Sequence, residues 1–185
     1  MSLGNRNNYI RKMLKPDKII FLDIDGVLNS EKSALLHKNN ELCAMMPHKI
    51  HLEPLSNIVK KTGAKIVISS TWRIGCSSCM IWEMFFTALG YPELIVIGVT
   101  PKLVDAENHS RPRGFEIDEW IQKRNKAASQ SYAKNWLITP VGRFVIIDDD
   151  PDMVHLSDHL FLTDGIDGLT EEIAENIITF LNMEQ

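Results

Sequence analysis

The sequence predicts a doubly wound α/β fold with a mainly parallel sheet, and three observations carry that prediction. Four short apolar runs, "IIFLD" at 19–23, "KIVIS" at 65–69, "LIVIGV" at 94–99 and "RFVIID" at 143–148, are continuous rather than alternating. Continuous runs suit strands covered on both faces. Helical patterns stand between and after them, which is the order of a parallel sheet with right-handed crossovers. Finally, the first, second and fourth runs close on acidic or hydroxyl residues, where open parallel sheets place their ligands.

Each element has a local reason. The first run leads straight into Asp23, Asp25 and Gly26. The segment "LEPLSNIVKKTG" repeats Leu52, Leu55, Ile58 and Val59 at helical spacing and ends at Gly63, a helix-closing residue. "CMIWEMFFTALG" reads as a second helix ending at Gly90, and "GFEIDEWIQKRN" as a third with Phe115, Ile117, Trp120 and Ile121 on its apolar face. "TEEIAENIITFLN" is the last, with Thr170 as N-cap and two glutamates at the positive end of the helix dipole. The result is a three-layer, Rossmann-like domain over 18–185, preceded by an N-terminal extension at 1–17. Residues 29–51 read as an insertion and 125–142 as a long connection, and such segments often face the substrate.

Composition narrows the function. The 185 residues carry a formal charge of −4 and a pI near 5.9, which argues against a generic nucleic-acid coat or a polybasic membrane anchor. No apolar stretch reaches the roughly 18 residues of a membrane span, and the polar N-terminus lacks a signal peptide's apolar middle. Three cysteines form no disulfide framework, so a cytoplasmic protein with reduced thiols is expected. Cys76 and Cys79 make a single CxxC without a second ligand pair, and Cys43 stands alone, so they read as structural residues. Trp72, Trp82, Trp120 and Trp136 read as core or cap contacts.

The residues closing the strands carry the chemistry. Asp23 and Asp25, Ser69 and Ser70, and Asp148 and Asp149 would converge on one crevice, joined by Arg111 and Arg113 from "RPRGFEI". On a continuing strand Asp23 and Asp25 would share one face, a costly like-charge pair unless a cation neutralises it. Several carboxylates with water make a hard-oxygen site suited to Mg²⁺, whose shell a phosphate can complete. A hydroxyl and a guanidinium can take the other phosphate oxygens. One carboxylate can then act as nucleophile and the second as general acid/base. Asp150 and Asp152 read as a solvated continuation of the acidic run.

"FLDIDGVLN" resembles the first motif, DxDG[TV], of the haloacid-dehalogenase-like (HAD) superfamily. "SSTWR", "RPRGFEIDEWI" and "FVIIDDDPDM" follow in the family's order, and the resemblance covers roughly 18–182. It implies Asp23 as nucleophile and metal ligand, and Asp25 as general acid/base with its backbone carbonyl on the metal. Asp148 would be the main ligand from the last strand, with Asp149 close by. For the second-motif hydroxyl, counting from the strand favours Ser69 and aligning on the trailing "TW" favours Ser70. The family's usual Lys of the third motif is absent. Arg113 is best placed to replace it, with Lys123 as the fallback. With about forty residues between the first two motifs, the chain resembles members without a large cap.

The expectation is a Mg²⁺-dependent phosphatase working through an aspartyl-phosphate. Its substrate would be a phosphorylated nucleic-acid end, a phosphoprotein, a nucleotide or a small phosphoester. The alternatives are a catalytically silent phosphate-binding protein and a receiver-type phospho-acceptor module. Receivers carry their acidic pair first, the reverse of the order here.

Overall fold

The computed structural model describes residues 15–37, 46–131 and 138–183. Its sheet has five strands, β1 (Asp17–Leu22), β2 (Lys65–Ile68), β3 (Val96–Val99), β4 (Val141–Asp148) and β5 (Leu160–Leu162). All pair in parallel, in the spatial order β3-β2-β1-β4-β5. The helices are α1 (Glu31–Leu36), α2 (Lys49–Thr62), α3 (Ser78–Ile81, continuing as a wider π turn over Trp82–Thr87), α4 (Arg113–Ser131) and α5 (Glu171–Asn182). This is the predicted Rossmann-like α/β architecture.

Strand alternation divides the core between two helical layers. Ile20 and Leu22 of β1 join Ile66, Ile68, Val145 and Ile147 beneath α2 and α5, where Leu55, Ile58, Ile177 and Leu181 cover them. Ile19 and Phe21 point the other way, with Val67 and Ile146, towards Ile117 of α4. Phe21 receives Trp120 and Phe144 edge-on, with ring centroids 5.5 and 5.7 Å away. Because both faces are buried, the strand sequences had to be continuously apolar.

The helix ends follow the expected chemistry. Gly63 closes α2 in the left-handed conformation at φ +70°, and the Thr170 hydroxyl accepts the Ile173 N–H to start α5. The 79–90 helix departs from expectation. The Ala88 N–H reaches the Glu83 carbonyl and the Tyr91 N–H that of Phe86, five residues back. The widened turn lets both Phe85 and Phe86 be buried, which an ordinary helical turn does not favour for adjacent positions.

The strands and the long connections depart from expectation as well. The third predicted strand begins two residues late, at Val96, where the β2–β3 register shifts between Ile66 and Val67. Strand β5 has only three residues, too few to show a pattern in sequence, and exists by pairing with β4. Helix α4 runs on to Ser131 and absorbs the start of the 125–142 connection, of which 132–137 lie outside the described residues. Of 29–51, the described part holds α1, opened by a Ser30–Ser33 capping box, and the start of α2. Cys43 and Trp136 lie outside the described residues. Among the described residues, no helix is long and apolar enough to cross a membrane.

The amino end of the sheet is tied by Asp17, the first residue of β1. Its carboxylate accepts from Lys65 of β2 at 2.8 Å, from Arg124 of α4 at 2.9 Å and from Thr139. Burial pushes this carboxyl up, and the bonds from Lys65 and Thr139 with the nearby charges outweigh it, so the group sits below its usual value. The stabilisation is therefore present above the unfolded-state value near pH 4 and fades as pH falls through the folded-state value. Asp17→Asn should lower stability at pH 7 by about 1–3 kcal/mol. In urea unfolding, the gap between parent and variant should narrow at pH 3.

Candidate functional site

The strand order reverses at β1, which connects forward to β2 on one side and lies beside β4 on the other. The carboxyl ends of β1 and β4 therefore border the crevice. Register pairs Leu22 with Ile147, which sets Asp23 beside Asp148 just beyond the ladder. The Asp23 N–H donates to the Ile147 carbonyl at 3.0 Å, pinning the two ends together.

Asp23, Asp148 and Asp149 bring carboxylate oxygens within 4.8 Å of one another. Arg113, the first residue of α4, places one guanidinium nitrogen 2.7 Å from Asp23 Oδ2 and 2.5 Å from Asp148 Oδ2. Asp148 has no exposed side-chain surface. Burial, with the Asp23 charge adding to it, pushes the Asp148 carboxyl up to about 7 against the pull of Arg113. Burial and Asp23 also raise Asp149. Arg113 loses basicity to burial and regains more from Asp23 and Asp148, so it stays charged.

The second aspartate of the first motif behaves differently from the strand-based expectation. The strand ends at Leu22, and the Ile24 carbonyl accepts from the N–H groups of Val27, Leu28 and Asn29. This turn breaks the i, i+2 relation, so Asp25 is exposed and its carboxylate lies outside the Asp23–Asp148–Asp149 cluster. Asp25 Oδ2 accepts the Trp72 indole N–H at 2.8 Å, and Oδ1 accepts from the Asn29 side chain at 3.1 Å. The turn requires Gly26, at φ +71°, for a second reason. A Cβ there would lie 2.1 Å from Asp149 Oδ2.

At the end of β2, Ser69 and Ser70 are both buried. The Ser70 hydroxyl accepts a long 3.4 Å bond from the Trp72 N–H, whereas the Ser69 hydroxyl has no hydrogen-bond partner among the described residues. Arg73 locks this corner. Its guanidinium donates to the carbonyls of Ser69 (2.5 Å), Ser70 (2.7 Å) and Thr100 (3.1 Å), and to the Glu116 carboxylate. The ends of β2 and β3 are thereby tied to α4. Lys123 points elsewhere, pairing with Glu119 at 3.0 Å one turn away.

Several site residues were not legible in the sequence. Trp72 contacts Asp25 besides packing edge-on to Phe85, and its place directly after "SST" was the available signal. The Arg73–Glu116 pair joins residues 43 positions apart and left no local trace. Asp152 is not simply solvated, since it accepts the Arg113 N–H at 3.0 Å and so fastens the start of α4. Two of the other tryptophans make structural contacts, Trp82 with the Pro92 carbonyl and Trp120 with Phe21. Cys76 packs against the larger core and Cys79 is exposed beside Glu83.

The donor set suits a hard divalent cation. Three carboxylates and one guanidinium carry a net charge of −2 when ionised, and all the candidate ligand atoms are oxygens. No curated protein and no solved structure matches this chain. Residues 19–174 match the family described as the HAD domain in Swiss Army Knife RNA repair proteins, and the chain belongs to that family.

Proposed function

We propose that this protein is a Mg²⁺-dependent phosphatase that removes a terminal phosphate from RNA ends through an aspartyl-phosphate on Asp23. The observation that carries the reading is the convergence of Asp23, Asp148 and Asp149 with Arg113 at the point where the strand order reverses. The RNA end as substrate is supported by the family's description, which places such domains in RNA repair proteins.

In this reading Asp23 attacks the phosphorus and the bond to the leaving oxygen breaks. Asp25 gives that oxygen its proton, then takes one from the water that hydrolyses the aspartyl-phosphate, releasing inorganic phosphate and restoring Asp23. Arg113 holds phosphate oxygens as a charge-assisted donor. Ser69 supplies the hydroxyl, since its Oγ is unengaged while that of Ser70 serves the following turn. Trp72 and Asn29 fix the direction of the Asp25 carboxyl. Asp23, Asp148 and Asp149, with the Asp25 carbonyl, would hold the Mg²⁺, which supplies charge stabilisation to the phosphoryl group when bound.

Release of p-nitrophenol from p-nitrophenyl phosphate tests the mechanism. Turnover should require Mg²⁺, stop in EDTA, and fall at least about a thousandfold in Asp23→Asn. Turnover that survives in Asp23→Asn would remove Asp23 as the nucleophile. Absence of turnover in the parent, with Mg²⁺-dependent binding of a phosphate mimic, would favour a silent phosphate-binding protein.

Trp72→Phe keeps the ring packing and deletes the bond to Asp25. It should lower kcat about tenfold with little change in KM. Equal losses in KM and kcat would indicate a packing role instead.

A further inference from the structure

A cleft of about 300 Å³ opens beside the carboxylate cluster, and Arg113 belongs to both. Four cations line it: Arg73, Lys102, Arg111 and Arg113. Two of them are neutralised, Arg73 by Glu116 and Arg113 by Asp23 and Asp148. The other two, Lys102 and Arg111, are exposed and form no ion pair among the described residues. Arg111 is nevertheless held in place. Its guanidinium lies 4.1 Å from the centroid of the Phe115 ring, and its backbone N–H donates to the Leu103 carbonyl at 3.0 Å.

The carboxylates that line the cleft are already engaged, Glu116 by Arg73 and Asp152 by the Arg113 N–H, so Lys102 and Arg111 stand there as cations without an acidic partner among the described residues. A chain of net charge −4 that keeps two unopposed cations beside a phosphate-handling site has a local reason to attract a second anion. Ile74, 60% exposed on the same wall, offers an apolar surface to a base or sugar. An apolar surface next to cations is the pairing that single-stranded nucleic acid uses, with the base against one and the backbone against the other.

We propose that this cleft is a subsite for the internucleotide phosphate next to the terminal one. Lys102 and Arg111 contact that phosphate and Ile74 contacts the adjoining nucleoside, so the substrate is a single-stranded oligonucleotide end rather than a free mononucleotide. The proposal rests on the phosphatase reading of the neighbouring carboxylates, from which it can be separated experimentally.

The test uses fluorescence anisotropy with labelled tetraribonucleotides phosphorylated at either the 3′ or the 5′ end, and with the matching mononucleotides. It is run with Mg²⁺ in an Asp23→Asn background that blocks turnover. The tetranucleotide should bind about tenfold or more tightly than the mononucleotide. Adding Lys102→Gln and Arg111→Gln should cut that advantage to about twofold. The slope of log Kd against log salt should fall by about 0.7 for each backbone phosphate that the variant no longer neutralises. Thermal melting of each variant checks that the fold is retained.

Equal binding of tetranucleotide and mononucleotide, or a length advantage that survives the double substitution in folded protein, overturns the subsite. Turnover of p-nitrophenyl phosphate by the parent answers the other question. Turnover without a length advantage removes the subsite alone. A length advantage that depends on Lys102 and Arg111, without turnover, keeps the subsite and removes the phosphatase reading.

Discussion

The site depends on holding two carboxylates, Asp23 and Asp148, side by side at the ends of adjacent buried strands. At separations up to the observed 4.8 Å, two such charges repel by about 3–4 kcal/mol or more at an effective dielectric near 20. Burial, with the Asp23 charge adding to it, pushes the Asp148 carboxyl up to about 7 even beside Arg113. Arg113 offsets part of that repulsion by touching both. A third carboxylate, Asp149, restores the excess of negative charge, and the Gly26 turn leaves room for it. The arrangement is stable locally only because the sheet above it is fully packed.

That packing explains why the corner can be rigid. The carboxyl-terminal halves of β1, β2 and β4 are buried on both faces, so their ends cannot slide without exposing Ile20, Phe21 or Ile147. Arg73 adds a second restraint, since one guanidinium collects three carbonyls and a carboxylate from β2, β3 and α4. Burial lowers its basicity and Glu116 offsets only part of this. An Arg with all three nitrogens engaged positions backbone; it has little left to give a ligand. Arg111, by contrast, has its face on Phe115 and forms no ion pair among the described residues. The two arginines therefore fill opposite roles because of what lies across from them.

Much of this was legible along the chain. The continuous apolar runs identified four of the five strands, since burial on both faces leaves no alternating pattern. Gly63 and Thr170 marked their helix ends because caps are local chemistry. The three-residue β5 was not legible, as it is defined by its neighbour β4. The π turn in α3 was not either, because it arises from seating Phe85 and Phe86 together in the core.

By itself the sequence determined the α/β order, the residue types at the strand ends and the run "DIDG" that resembles the first HAD motif, all consequences of short-range pattern. Tertiary structure alone decided which acids stand together. Strand pairing grouped Asp23 with Asp148 and Asp149, while the turn at Ile24 sent Asp25 to Trp72 and Asn29. It also decided which cation serves the site, since Arg113 starts α4 at the crevice and Lys123 lies further along that helix, paired with Glu119. The physical reason is that hydrogen-bond register and helix direction are set across the sheet, between residues more than a hundred positions apart.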